Sequence, residues 1–277
     1  MSAVYAALDA LFPFEWMQYT FMKNALLAVV MIAPLFGMLG TMAVDNKMAF
    51  FSDALGHCAL TGIAIGVVLG WSSQMAAMLL FGILWAVLIT FVKQNSKMSA
   101  DTIISVFSST SVALGLVVLS RGGAFARYSS VLVGDVLAVT QGDLLWLLVA
   151  LAGTFAVWTV LFNPLLLTSV NAPLAKSRGV RAQLTEYIFT MLVAVAVMVS
   201  IRWVGVMLIN SLLILPAAAS RNVARSAAGY MRISVLIALV CGVTGLIGSY
   251  YLNTSAGAAV VLCCAVAYFI TLPLRRK

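Results

Sequence analysis

The chain alternates long apolar stretches with short polar gaps. Runs at about 20–43, 48–70, 74–92, 102–120, 143–162, 185–201, 203–219, 233–251 and 256–273 are apolar over most of their length. A helix needs roughly 20 residues to cross the hydrocarbon core of a bilayer, so each run can span it or nearly so. The pattern predicts an all-α, polytopic transmembrane bundle of nine helices. The sixth and seventh runs are separated only by Arg202-Trp203. Together they hold about 35 residues, too many for one crossing and tight for two, so eight crossings is the alternative.

Composition identifies the solvent. Of 277 residues, 64% are hydrophobic and 9% are charged, with a mean hydropathy of +1.11. A soluble domain carries about a quarter charged residues. Apolar surface on this scale calls for lipid around the fold. One membrane domain over 1–277 is expected, with no repeat, low-complexity tract or soluble domain. Residues 1–18 carry Asp9 and Glu15 and lack a basic start, so no cleavable leader is expected there. The four cysteines (Cys58, Cys241, Cys263, Cys264) lie in apolar runs without metal-binding spacing and read as small packing residues.

The net charge of +8 does not mark nucleic-acid binding, because the basic residues sit in the gaps between apolar runs. With nine crossings and the N-terminus outside, one side holds Lys47, Lys93, Lys97, Lys176, Arg178, Arg181, Arg221, Arg225, Arg232, Arg275, Arg276 and Lys277. The other side keeps Lys23, Arg121, Arg127 and Arg202. The positive-inside rule then favours an outer N-terminus and a cytoplasmic C-terminus. Two connections are longer than a turn needs: an outer one over 121–142 and an inner one over 163–184.

The second run opens with Phe51-Ser-Asp-Ala-Leu-Gly-His-Cys. His57 is the only histidine in the chain, and Asp53 lies four residues before it, on the same face of a helix. If that helix enters the membrane at Met48, Asp53 is ~8 Å deep and His57 ~14 Å deep. Ionisable groups at such depth are costly and call for a partner or a wet cavity. Two readings stand: Ser52-Asp53 caps the helix and His57 bonds a neighbour, or Asp53 and His57 are metal ligands. One Asp and one His are too few for a complete zinc site; a two-fold dimer would double the set.

Asp135 and Asp143 lie in or beside the outer connection, as helix caps or as the lining of an outer mouth. Asn210 and Ser211 interrupt an apolar run and read as helix-packing polar groups. Pro216 should kink or end that helix. In the inner connection, Pro173 suits a helix start and Gly179 a helix stop. No GxxxxGK[ST] motif occurs, so any ATP would be hydrolysed by another chain. The single histidine also rules out a catalytic triad built beside the Asp53 pair.

Several segments, in order, resemble the permease subunits of bacterial ABC importers for zinc, manganese and iron. They are FMKNALLAVVMIAPLFGMLGTMAVDNKMAFFSDALGHCALTGIAIG, SADTIISVFSSTSVALGLVVLS, VGDVLAVTQGDLL, NAPLAKSRGV, VGVMLINSLLILPAAASRNVAR and TSAGAAVVLCCAVAYF. The most specific element is the aspartate–alanine–leucine–x–histidine signature, Asp53 to His57. The chain departs from the family pattern at Gly56, where serine or alanine is frequent, and at Thr61, where proline is frequent. The loop Val-Asp-Asn-Lys is also less basic than usual.

The resemblance implies a non-catalytic permease that passes a divalent ion between two protomers by alternating access, with no permanently bound cofactor. Zinc is expected first and manganese or iron next, with Asp53 and His57 meeting the ion. The implied partners are ABC ATPase subunits on the cytoplasmic side and a substrate-binding protein outside. A second permease protomer, identical or paralogous, and the bacterial inner membrane complete the set, with no nucleic acid. ATPase coupling is expected at Asn171, Ala175, Lys176, Arg178 and Gly179. Alternatives are an ABC permease for a metal chelate such as a siderophore, or an ion-coupled secondary transporter.

Overall fold

The computed structural model describes Tyr5, residues 15–122 and residues 136–274. Among the described residues, nine helices are long and apolar enough to cross a membrane. They are α1 (Thr20–Asp45), α2 (Phe51–Val68), α3 (Gln74–Asn95), α4 (Ala100–Gly122) and α5 (Gln141–Val170), followed after the short helix α6 (Ala172–Ser177) by four more. Those are α7 (Ala182–Ile201), α8 (Val204–Val223), α9 (Ala227–Leu252) and α10 (Ala256–Thr271). No strand occurs among the described residues.

The choice between eight and nine crossings is decided at Gly205. Helical hydrogen bonding runs almost unbroken from Ala182 to Val223, but Gly205 has φ 75° and ψ 163°, a conformation open to glycine and costly for other residues. A straight helix would place Glu186 and Arg221 ~52 Å apart. Instead both sit at one end of the bundle. Lys93 Nζ donates to Glu186 Oε1 at 2.6 Å and to the Asn46 carbonyl at 3.4 Å. Arg221 pairs at 3.5 Å with Asp45, the neighbour of Asn46. The chain therefore goes up as α7, reverses near Gly205 and returns as α8. Pro216, expected to kink or end the helix, lies inside α8, which continues to Val223.

The inner connection is shorter than expected. Helix α5 runs through Asn163-Pro164 to Val170, so only residues 171–181 link it to α7. Burial of Leu161 and Leu165 on either side of the proline holds the helix in register, and Thr168 Oγ1 bonds the Pro164 carbonyl at 2.8 Å. Most of the outer connection lies outside the described residues.

Close approach of the helices rests on small residues, as is usual in membranes. A Cβ on Gly40 would lie 1.8 Å from the Leu213 carbonyl oxygen, and one on Gly245 2.5 Å from Val260 Cα. Ser234 Oγ bonds the Gly37 carbonyl at 2.7 Å. Helices α1 and α2 are the most enclosed of the nine, and α2 carries the Asp53–His57 pair. Helix α2 packs on α3, α4 and α8, and Thr61 Oγ1 donates to the Ser111 carbonyl at 2.6 Å. The outward faces are apolar, with Trp146, Val160, Leu262 and Phe269 all exposed, as a lipid surround requires. The four cysteines are free thiols, and Cys58, Cys241 and Cys264 are buried, in keeping with a packing role.

Candidate functional site

The first turn of helix α2 is largely buried, although its cap residue Phe50 is exposed. Met48, Phe51 and Ser52 are buried, and the cap residue Phe50 offers no side-chain hydrogen bond. Ser52 Oγ is buried without a partner. The capping reading of Ser52-Asp53 therefore has no hydrogen bond behind it. An acidic side chain in the first turn still complements the helix macrodipole.

Asp53 is held from the neighbouring helix. Its Oδ1 accepts a 2.8 Å hydrogen bond from Asn210 Nδ2 on α8. Asn210 lies six residues from the start of α8 and thirteen from its end, ~9 Å and ~20 Å at 1.5 Å per residue. Asp53 is thus level with the interior of a spanning helix, although only the third residue of its own. The sequence estimate of ~8 Å depth assumed that α2 starts at the membrane surface. The contact with Asn210 replaces that assumption.

The other oxygen, Oδ2, faces His57 Nε2 at 3.6 Å. That is beyond a hydrogen bond but close to the separation of two ligands on one metal ion. A cation ~2.1 Å from each atom would subtend them at about 120°. The His57 and Asp53 side chains are 38% and 46% exposed, although α2 is otherwise enclosed. The pair therefore opens away from the chain that carries it. Among the described residues no cluster of three or more His, Cys, Asp or Glu side chains exists, and Asp53 and His57 are the two such groups that the described residues bring together here.

Sequence reasoning passed over Asn210 as a site residue and read it as a packing group. Its signal was present: an amide inside an otherwise apolar run. Only the fold shows that it meets Asp53, 157 positions away. The approach is made close by Gly56, one turn from Asp53, where a Cβ would lie 2.4 Å from Val206 Cγ1 of α8.

The other candidates separate clearly. Asp143 forms a capping box with Thr140: Thr140 N donates to Asp143 Oδ2 at 3.0 Å, and Asp143 N donates to Thr140 Oγ1 at 3.4 Å. Its oxygen is thereby engaged in starting α5. Asp135 lies outside the described residues. In the inner connection Asn171 Oδ1 accepts from Leu174 N at 3.0 Å and caps α6. Ala175 is fully buried. Gly179, at φ 76°, ends the motif, its N–H bonding the Lys176 carbonyl at 3.1 Å. Lys176 and Arg178 are exposed on this compact turn. The helix start at Pro173 and stop at Gly179 agree with the sequence expectation.

Comparison with known proteins gives a consistent result. The chain is 33% identical over 264 residues to the manganese import system permease protein ScaB of Streptococcus parasanguinis, covering 94% of each chain. It is 30% identical over 254 residues to the high-affinity zinc uptake system membrane protein ZnuB of Haemophilus influenzae, covering 91% of this chain and 97% of that one. The solved structure of PsaBC from Streptococcus pneumoniae in complex with Fab superposes with a TM-score of 0.78 at 29% identity, over 98% of this chain and 95% of that one. The sequence pattern of the ABC 3 transport family matches residues 18–275. With its nine apolar helices and this match over nearly its whole length, the chain is a multi-pass membrane protein and belongs to the ABC 3 transport family.

Proposed function

We propose that this chain is the membrane-spanning subunit of an ATP-driven importer for a divalent transition-metal ion, which it meets through Asp53 and His57. The observation that carries the reading is the facing pair Asp53 Oδ2 and His57 Nε2, 3.6 Å apart and roughly half-exposed. Carboxylate and imidazole together suit zinc, manganese or iron. The relatives include permeases named for manganese and for zinc, so the zinc preference expected from sequence is shared with manganese. Family membership sets aside the ion-coupled secondary transporter, and the relatives' names favour a metal ion over a metal chelate.

The ion passes between two protomers, each bringing one Asp and one His. A sparse ligand set suits transport, because an ion held by a complete tight site would not leave. Alternating access is driven from the end that carries Lys93 and α6. There the exposed turn from Asn171 to Gly179 docks a partner ATPase, with Lys176 and Arg178 outward and Ala175 fixing the turn to the bundle. This end faces the cytoplasm and the N-terminal segment lies outside, as the basic gaps require, in a bacterial cytoplasmic membrane. A substrate-binding protein delivers the ion from outside. The chain itself performs no hydrolysis.

The test is metal accumulation by cells carrying the assembled importer. Asp53→Ala and His57→Ala each abolish uptake while the assembly still forms and hydrolyses ATP. Normal uptake in both variants would overturn the assignment.

A further inference from the structure

We propose that Asn210 is a specificity-determining positioning residue: it holds one oxygen of Asp53 so that the carboxylate meets the ion through its other oxygen alone. The inference rests on the reading of Asp53 and His57 as the groups that meet the ion. A carboxylate only accepts hydrogen bonds, so the amide must present Nδ2 to Asp53 Oδ1, the 2.8 Å contact observed. The free oxygen, Oδ2, is the one that faces His57. The amide thus sorts the two oxygens into a held one and an open one.

The holding is rigid. Gly56 and Val206 bring α2 and α8 together one turn away, and Asn210 is anchored in a continuous stretch of α8. The amide also carries a cost. Its own Oδ1 is buried with no hydrogen-bond partner, whereas an apolar side chain there would leave nothing unsatisfied. Packing alone gives no reason for an amide at 210. The N–H directed at Asp53 does.

The consequence is a choice between metals. A carboxylate limited to one oxygen suits four-coordinate zinc with its imidazole and single-oxygen ligands. A carboxylate free to offer both oxygens suits the oxygen-rich, six-coordinate shell of manganese. Asn210 therefore weights the path toward zinc. Without it, Asp53 turns both oxygens to the ion and the preference moves toward manganese.

The experiment uses the assembled importer, with its ATPase and binding protein held constant, in vesicles. Half-saturating concentrations are measured for manganese and for zinc. Asn210→Leu removes the donor and shifts the ratio of the two toward manganese by about tenfold, the effect of one hydrogen bond to a charged group. Asn210→Ser, too short to span the gap, shifts it the same way. An unchanged ratio, an equal loss for both metals, a shift toward zinc, or failure of both variants to assemble would each overturn the proposal by reducing Asn210 to a packing residue. Asp53→Ala, run alongside, separates the two levels. If it transports normally, the site reading itself falls; if it is inactive and the Asn210 ratio is unmoved, only this inference falls.

Discussion

Two polar clusters lie among the apolar helices, and they are finished to different degrees. At the end of the bundle near α6, Glu186 has both oxygens engaged. Lys93 Nζ donates to Oε1 at 2.6 Å and Gln94 Nε2 to Oε2 at 3.1 Å. Gln94 also bonds the Gln183 carbonyl, and Lys93 the Asn46 carbonyl. The two charged side chains are only 20% and 23% exposed. Around Asp53, by contrast, one oxygen faces His57 across 3.6 Å, both side chains are roughly half open, and Asn210 Oδ1 has no partner. A polar cluster satisfied within one chain holds helices together. A cluster left open keeps groups free to meet a ligand, the role proposed above for Asp53 and His57. The closed cluster also ties α7, just beyond the α6 turn, to the turn that leads into α2, so the α6 end and the start of α2 share a strut.

The sharpest way to break this comparison is to remove one charge from each cluster. Lys93→Met strands Glu186 and lowers folding stability by about 3 kcal/mol, as expected when a largely buried pair loses one member. Exchanging the pair, Lys93→Glu with Glu186→Lys, regains most of it. Asp53→Ala costs about 1 kcal/mol, because it leaves the Asn210 amide without its acceptor, while uptake is lost. Thermal unfolding in detergent reads both, and equal destabilisation by Lys93→Met and Asp53→Ala would erase the distinction.

A smaller effect is expected at the seam that closes the open site. Gly56→Ser puts a Cβ against Val206 Cγ1, where 2.4 Å is available, at about 1–3 kcal/mol. It also spreads α2 from α8 and draws Asn210 off Asp53. Val206→Ala in the same chain restores both stability and uptake. Restored stability with uptake still impaired would show that residue 56 acts on the ion by another route.

The smallest effect belongs to Asp143. Thr140→Ala removes the side-chain half of the capping box and costs about 1 kcal/mol, seen as a modest fall in unfolding temperature with uptake unchanged. A marked loss of uptake would return Asp143 to the outer mouth of the path.

The helices were legible because a span of lipid demands about 20 apolar residues whatever the neighbours do, and seven of the eight junctions between the nine helices show as polar gaps in the sequence. The exception, between α7 and α8, turns on the left-handed conformation of Gly205, which hydropathy does not register. The extension of α5 past Pro164 was likewise hidden, because burial of Leu165 outweighs the local signal of a proline. Spacing alone placed Asp53 and His57 on one face of a helix, and the Pro173 and Gly179 signals located the α6 turn.

The sequence by itself thus determined the membrane setting, the family resemblance and the placing of Asp53 and His57 on one helix face. These follow from composition and from spacings within a single helix, where geometry is local. Only the tertiary structure decided that Asp143 caps α5 and that Asn210 reaches Asp53 from another helix. Those facts depend on which helices approach one another and how closely. In this chain the approach is governed by glycines such as Gly56, whose missing side chain brings residues 157 positions apart into hydrogen-bond contact.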